Sequence, residues 1–248
     1  MEIILPIQNI DLSSKEKSEK KIKKNVFRIL KSNAYIKRRN FNKIQTIMTH
    51  MFEYRIDKLN GISSEINVGG TIRQQNGKLG EDFVEILFNH IVKFFFEDKN
   101  IIIKNGNKKE EKKNISITSK NGETFTKKHS VDIHVYFNNE LKICVECKSY
   151  LDSCYFGRAL LDFHTYKQDN NGRFQDMIPM IFAFEEAADK NTLNFEMANL
   201  NIYPNIFYML DGNRSSKKAY WKPKYRKQIN QDKLLKFIKH IYNIFDNF

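Results

Sequence analysis

Two β-rich runs constrain the fold of this chain more than any other feature. Residues 131–137 and 141–149 are largely apolar and flank Asn138-Asn139, a dipeptide suited to a hairpin turn. Successive side chains of a strand face opposite sides. Glu146 and Lys148 therefore share one face of the second run, while Val145 and Cys147 share the other, which should be core. On the first run Asp132 lies on one face and Val131, Ile133 and Val135 on the other. A three-residue connection, Asn138 to Glu140, pairs Phe137 with Leu141 and sets Asp132 opposite Glu146. Opposed residues on one face have Cβ atoms about 4.5–5.5 Å apart. Two carboxylates at that separation repel each other unless a cation lies between them, and Lys148 brings an ammonium beside them. A two-residue loop turns Asp132 toward Val145 instead, so the pairing of carboxylates requires the longer loop or a bulge.

The flanking segments predict an α/β chain. Residues 13–60 are basic, with Val26, Leu30, Ile44, Ile47 and Met51 near helical spacing. Residues 61–78 predict a loop, because Val68-Gly69-Gly70-Thr71 and Gln74-Gln75-Asn76-Gly77-Lys78 are turn-forming and polar. Residues 80–97 predict a helix with Val84, Leu87, Phe88, Ile91 and Phe95 as its stripe. Glu81, Asp82 and Glu85 then fall in its first turns, where the macrodipole favours acids. Residues 101–104 begin a strand and 105–114 form a charged connection. After the hairpin, 151–168 predict a helix, 178–184 a buried strand, 186–200 a helix and 206–210 a short strand. Residues 232–248 predict a terminal helix with Leu234, Ile238, Ile241, Phe245 and Phe248 on one face. This order implies a central mixed β-sheet flanked by helices. It divides into a basic helical N-terminal region (1–78), a core (79–211), and a basic segment with the C-terminal helix (212–248).

Charge narrows the partner. Lys and Arg number 42 and Asp and Glu 29 among 248 residues, a net charge of +13. Such a balance suits an acidic polymer, nucleic acid above all. A low-GC bacterial genome also raises Lys, Asn, Ile, Phe and Tyr without functional meaning. Distribution favours the first account: residues 214–227 carry seven basic residues, Lys217, Lys218 and Lys222 among them, interleaved with Tyr220, Trp221 and Tyr225 and free of acids. Gln74, Gln75 and Asn76, in the expected loop, have amides able to pair with adenine edges. Three cysteines cannot form a disulfide framework. Cys144 and Cys147 have a zinc-like spacing, but residues three apart on a strand face opposite ways. No apolar run is long enough to cross a bilayer, and the N-terminus lacks a basic stretch before its apolar residues, so a cytoplasmic chain with no membrane partner is expected.

Asp132 with Glu146-Cys147-Lys148 on the next strand, and Glu81 on the upstream helix, resembles the PD-(D/E)xK nuclease superfamily, more narrowly its type II restriction endonucleases. The resemblance covers residues 79–210; Val131 stands where the superfamily has proline. It implies a restriction endonuclease-like core over 79–211. Asp132 and Glu146 would bind one or two Mg²⁺ with the Cys147 carbonyl. Lys148 would orient or activate the attacking water, and Glu81, with Glu85 as its rival one turn on, would lie near the metal. The following helix, with Arg158 and Gln168, would lie against double-stranded DNA. A homodimer is expected, since one site cuts one strand, with a cognate DNA methyltransferase as functional partner. A nicking, repair or resolvase nuclease shares these features, and a non-catalytic nucleic-acid binder with a degenerate core is the rival from another class. His134, on the Asp132 face and opposite Cys144, is a structural histidine or one near the site.

Overall fold

The computed structural model describes residues 15–63, 69–214, 220 and 222–248, with side chains described at 33–61, 75–214, 220 and 222–248. In chain order the elements are α1 (Lys15–Ser63), α2 (Gly69–Phe95), β1 (Ile101–Asn105), β2 (Lys113–Thr118), β3 (Thr124–His129), β4 (Ile133–Phe137) and β5 (Glu140–Leu151). They continue with α3 (Ser153–Lys167), β6 (Ile178–Glu186), α4 (Lys190–Leu200), β7 (Asn205–Tyr208) and α5 (Gln231–Asp246). The central sheet has the order β1-β4-β5-β6-β7, and β2 and β3 form a separate two-stranded ribbon. β1, β4 and β5 are antiparallel, while β5, β6 and β7 are parallel. Parallel neighbours need long crossovers, and α3 and α4 supply them. The result is an α/β fold with a mixed sheet flanked by helices, and no helix among the described residues is long and apolar enough to cross a membrane.

Each helix is placed by the stripe it buries. On α1, Phe41, Ile44, Met48, Phe52, Ile56 and Leu59 recur every three or four residues and are all buried. They meet the stripes of α2 and α5 over one face of the sheet, where Ile133, Val135, Ile143, Val145 and Phe182 point. The other face, with Cys144, Ile181 and Ala183, is covered by Phe156, Leu160 and Phe163 of α3 and Leu193 of α4. Burying one such side chain contributes about 1.5–3 kcal/mol. Phe83 of α2, fully buried and stacked on Phe182 at 5.3 Å, is central to the first core. Its truncation to Ala would cost about 3–5 kcal/mol.

Three expectations are corrected, and one element, the β2–β3 ribbon, was not foreseen. Residues 69–78 are not a loop but the first turns of α2, so the boundary drawn at residue 78 falls inside a helix. Gly77 faces open space, and the packed stripe beginning at Leu79 outweighs the roughly 1 kcal/mol that a helical glycine costs. The charged stretch after β1 is followed by the β2–β3 ribbon, which lacks an apolar alternation because all of Thr124 to Lys128 are exposed. Val131 does not share a face with Ile133: the chain bends at Asp132, and Val131 packs under α3 with Tyr136 and Cys144. The helix expected from Glu186 starts only at Lys190, after β6 has run on to Glu186 and Asp189 has capped it through the Thr192 N–H at 3.0 Å.

Candidate active site

The hairpin that carries the site is built from two devices. Asn138 and Asn139 have φ of 50° and 67°, the left-handed pair that a two-residue hairpin turn requires. Phe137 consequently faces Glu140, not Leu141, and the three-residue connection is absent. One step on, Tyr136 faces Leu141, but Val135 faces Ile143, which leaves Lys142 as a β-bulge. The bulge reverses the phase of the strand. Leu141 packs with Tyr136 beneath α3, whereas Ile143, Val145 and Cys147 pack with Val135 beneath α2. Asp132 thereby stands one step beyond the Ile133–Val145 pair, in line with Glu146.

At that point β4 ends and β5 continues. The Cys147 N–H has no ladder partner in β4, and Asp132 takes its place: Oδ2 accepts from Cys147 N at 2.7 Å and Oδ1 from Asn107 Nδ2 at 2.9 Å. A strand residue aims its N–H and C=O at the same edge, so the Cys147 carbonyl is directed to this gap too. The Lys148 ammonium lies 3.5 Å from Asp132 Oδ2 and donates a hydrogen bond to Glu146, bridging the two carboxylates. The bend is pinned from β1 by Gly106, whose N–H donates to the Asp132 carbonyl at 2.9 Å. A Cβ on Gly106 would lie 2.2 Å from the Val131 carbonyl oxygen, so only glycine fits.

Glu81 arrives from α2. A Cβ on Gly80 would sit 3.4 Å from that of Cys147, a close approach that brings the helix onto β5. Glu81 Oε2 accepts from Asn105 Nδ2 at 3.1 Å. Its place is more than three turns inside α2, so the helix N-terminus does not account for it. Its pKa is raised, first by burial and then by the charge of Asp132. Of its neighbours, Asp82 is held by Arg55 at 2.6 Å, and Glu85 lies one turn further along α2.

The electrostatics follow from two carboxyls, Asp132 and Glu146, sharing the Lys148 ammonium. Burial, then the charge of Asp132, pushes Glu146 up to about 8. Burial opposes the charge on Lys148, but Glu146 and Asp132 outweigh it and hold its pKa above the ordinary value. The site opens into a cleft of about 250 Å³ lined by Glu146, Lys148, Asn107, Ser130, Tyr155, Arg158 and Asp162. The last three recur at helical spacing on α3, which is a legible signal for one face, whereas nothing near Asn107 or Ser130 marks them.

The other candidate residues are scattered. Arg158 lies in the cleft, but Gln168 is the exposed C-cap of α3, ten residues and about 15 Å further along. Gln75 and Asn76 are on α2 rather than in a loop. Asn76 accepts from the Tyr220 hydroxyl at 2.6 Å, and Gln75 lines a small cavity against Arg55 and Leu59 of α1. The Gln74 side chain, Lys217, Lys218 and Trp221 lie outside the described residues, and Lys222 is exposed. The acid-free stretch meets acids in space: Lys227 pairs with buried Glu185 at 2.6 Å and Arg226 with Asp57 at 2.6 Å. His134 is fully buried, 3.0 Å from the Tyr166 hydroxyl, and burial lowers its pKa to about 4, so it is a core histidine. Cys144 and Cys147 are buried in opposite cores, away from any shared ligand.

Among the described residues no three His, Cys, Asp or Glu side chains gather into a ready-made metal cage. Donor chemistry and charge nevertheless fit a hard divalent cation: carboxylate oxygens, a carbonyl directed at the same gap, and a glutamate left short of positive charge. No protein-family model and no curated protein sequence matches the chain.

Proposed function

We propose that the chain is a Mg²⁺-dependent endonuclease that hydrolyses phosphodiester bonds of double-stranded DNA, with a restriction endonuclease-like core. The observation that carries this proposal is the bridge Asp132–Lys148–Glu146 at the end of β4, with Glu81 brought beside it by α2. Asp132, Glu146 and the Cys147 carbonyl would hold the cation, with Glu81 near it. A bound divalent ion would polarise the phosphate and lower the pKa of water. The remaining work falls to the chain itself. Lys148, a compact point charge, offsets negative charge that develops on the phosphate or orients water beside it. Arg158, on the cleft wall, suits a neighbouring phosphate. A sequence-specific restriction enzyme acting as a homodimer, paired with a methyltransferase, is the finer form of the proposal.

The test is incubation of the protein with AT-rich and GC-rich phage DNA in Mg²⁺, Ca²⁺ and EDTA. Discrete bands in Mg²⁺ alone support the restriction form, and a smear supports a nonspecific nuclease. Intact DNA that is retarded on a gel overturns catalysis in favour of a binding protein. Full cleavage in EDTA removes the metal from the account.

A further inference from the structure

The β2–β3 ribbon has no part in the site described above, yet it is mounted on it. From His129 the chain passes through Ser130, which lines the cleft, to Asp132. A two-stranded hairpin is marginal alone, and this one is braced along its β2 edge. Ser116 N–H donates to Asp169 Oδ1 at 3.1 Å, and the Asn170 N–H donates to the Ser116 carbonyl at 2.8 Å. Asp169 is itself buried and held by Arg173 at 2.9 Å. Beyond this brace the ribbon has almost no core of its own. Ile115 is its one buried residue, and every residue from 121 to 128 is exposed.

An exposed ribbon held this firmly needs a partner, and its chemistry selects one. Residues 119–128 carry Lys120, Lys127 and Lys128 against the single acid Glu123. Among the described residues β3 pairs with β2 alone, so its other edge is open. A second copy added at that edge would bring two lysine-rich strands together, and exposed lysines are what edge strands use to prevent pairing. The partner is therefore anionic. Phe125, 62% exposed, faces Ile117, 36% exposed, across the ribbon, so an apolar pair waits on the face that Lys127 shares, with Lys128 on the other. A two-stranded ribbon fits the major groove of duplex DNA, about 12 Å wide, where thymine methyl groups offer apolar contact. Six residues of strand reach about 20 Å, or roughly six base pairs at 3.4 Å each.

The geometry points to the β2–β3 ribbon as an arm that docks in the major groove of DNA beside the cleft, with Lys127 and Lys128 on phosphates and Phe125 with Ile117 against base edges. This inference rests on the proposal that the cleft acts on DNA. Fluorescence anisotropy of labelled duplex DNA, in Ca²⁺ from 50 to 200 mM salt, tests it on the full chain. Lys127→Gln with Lys128→Gln should flatten the slope of log K against log salt by about 1.8, or 0.9 per contact. Phe125→Ser should weaken binding roughly tenfold with the slope unchanged, since it removes apolar contact and no charge. Methyl green, a major-groove ligand, should displace the wild type, and distamycin, in the minor groove, should not. All three substituted residues are exposed, so melting temperatures should match the wild type. A wild type that binds DNA, joined to a double variant of unchanged slope, overturns the arm and leaves the cleft proposal standing. Displacement by distamycin instead of methyl green also overturns it. So does binding of wild type, but not of the double variant, to anionic phospholipid vesicles alongside unaltered DNA binding. A wild type that neither binds nor cuts DNA removes the cleft proposal itself, and the arm with it.

Discussion

Asp132 holds two neighbours in place at once, accepting from the Cys147 N–H and from the Asn107 amide. Asp132→Ala would strand a backbone donor and confuse lost chemistry with lost structure, at a cost of about 1–3 kcal/mol. Asp132→Asn separates the two. Its remaining oxygen can still accept from the Cys147 N–H, and Asn107 can turn its amide over so that its oxygen accepts from the new amide, so the fold should survive. Turnover should fall by at least ~100-fold, because loss of an outer partner of a metal ligand already costs about 10–100-fold and this residue is proposed as a ligand. Cleavage of DNA by the variant at the wild-type rate would remove Asp132 from the site. His134 makes a different prediction. Its folded pKa of about 4 lies below its ordinary value of 6.5, first because of burial. The unfolded chain therefore binds a proton between these values that the folded chain refuses. The stability that comes from the depressed pKa is whole above pH 6.5 and is lost as pH falls toward 4, by about 3 kcal/mol at most. His134→Gln keeps a partner for Tyr166 and should flatten that loss. Urea midpoints at pH 7, 5.5 and 4 for both proteins check it, and parallel declines would assign the acid sensitivity elsewhere.

At the scale of elements, the site depends on a bend whose shape is enforced from β1. Gly106→Ala would drive a Cβ into the Val131 carbonyl and to within 2.9 Å of His134 Nε2. Overpacking of this kind costs about 1–3 kcal/mol. Because the strained segment is the one that holds Asp132, activity should fall further than the loss of stability accounts for, while DNA affinity changes little. Melting temperature and single-turnover rate of the proposed cleavage, measured on the same variant, check this, and a stable Gly106→Ala variant of normal rate would show that the bend tolerates movement. The elements legible beforehand were those with apolar periodicity: the hairpin strands, β6, α3 and the stripe of α5. The meeting of Asp132, Glu146 and Lys148 was legible in part. Parity put Glu146 and Lys148 on one face. The turn is the two-residue one, however, and Asp132 reaches them only because the Lys142 bulge offsets it, the alternative that the sequence left open. Three kinds of feature were not legible. Asn76 and Gly77 concealed the first turns of α2, because tertiary packing rather than propensity makes them helical. The ribbon has no buried face along β3 and so no alternation. Asn107 and Ser130 join the α3 face from separate segments, which no local pattern records.

Over the whole molecule, the net charge of +13 is not all available to a partner. Arg55, Arg226 and Lys227 are engaged with Asp82, Asp57 and Glu185. Changing Lys227 would therefore leave Glu185 as an unpaired buried acid, a structural effect besides any on binding. Lys217, Lys218 and Lys222 belong to the same acid-free stretch of the sequence. Their joint change to Gln should flatten the salt slope by up to about 2.7, weakening target and non-target DNA alike, since phosphate contacts carry no base information. Binding isotherms over a salt series check it. An unchanged slope would assign these lysines to solvent and leave genome composition as the source of their charge.

Lys142 is a surplus link in the chain. Strand β5 uses it for no pairing, and the residues on either side are matched to consecutive residues of β4. Its removal would join Leu141 directly to Ile143 with every partner kept and every side chain on its present face. A one-residue deletion between Ile143 and Val145 would turn Glu146 and Lys148 over to the wrong side of the sheet. The protein thus has one position in its central hairpin where its length can change by one without scrambling the site. Deletion of Lys142 should leave a folded, active protein, whereas deletion of Val145 should leave neither, as circular dichroism and a cleavage assay on the two would show.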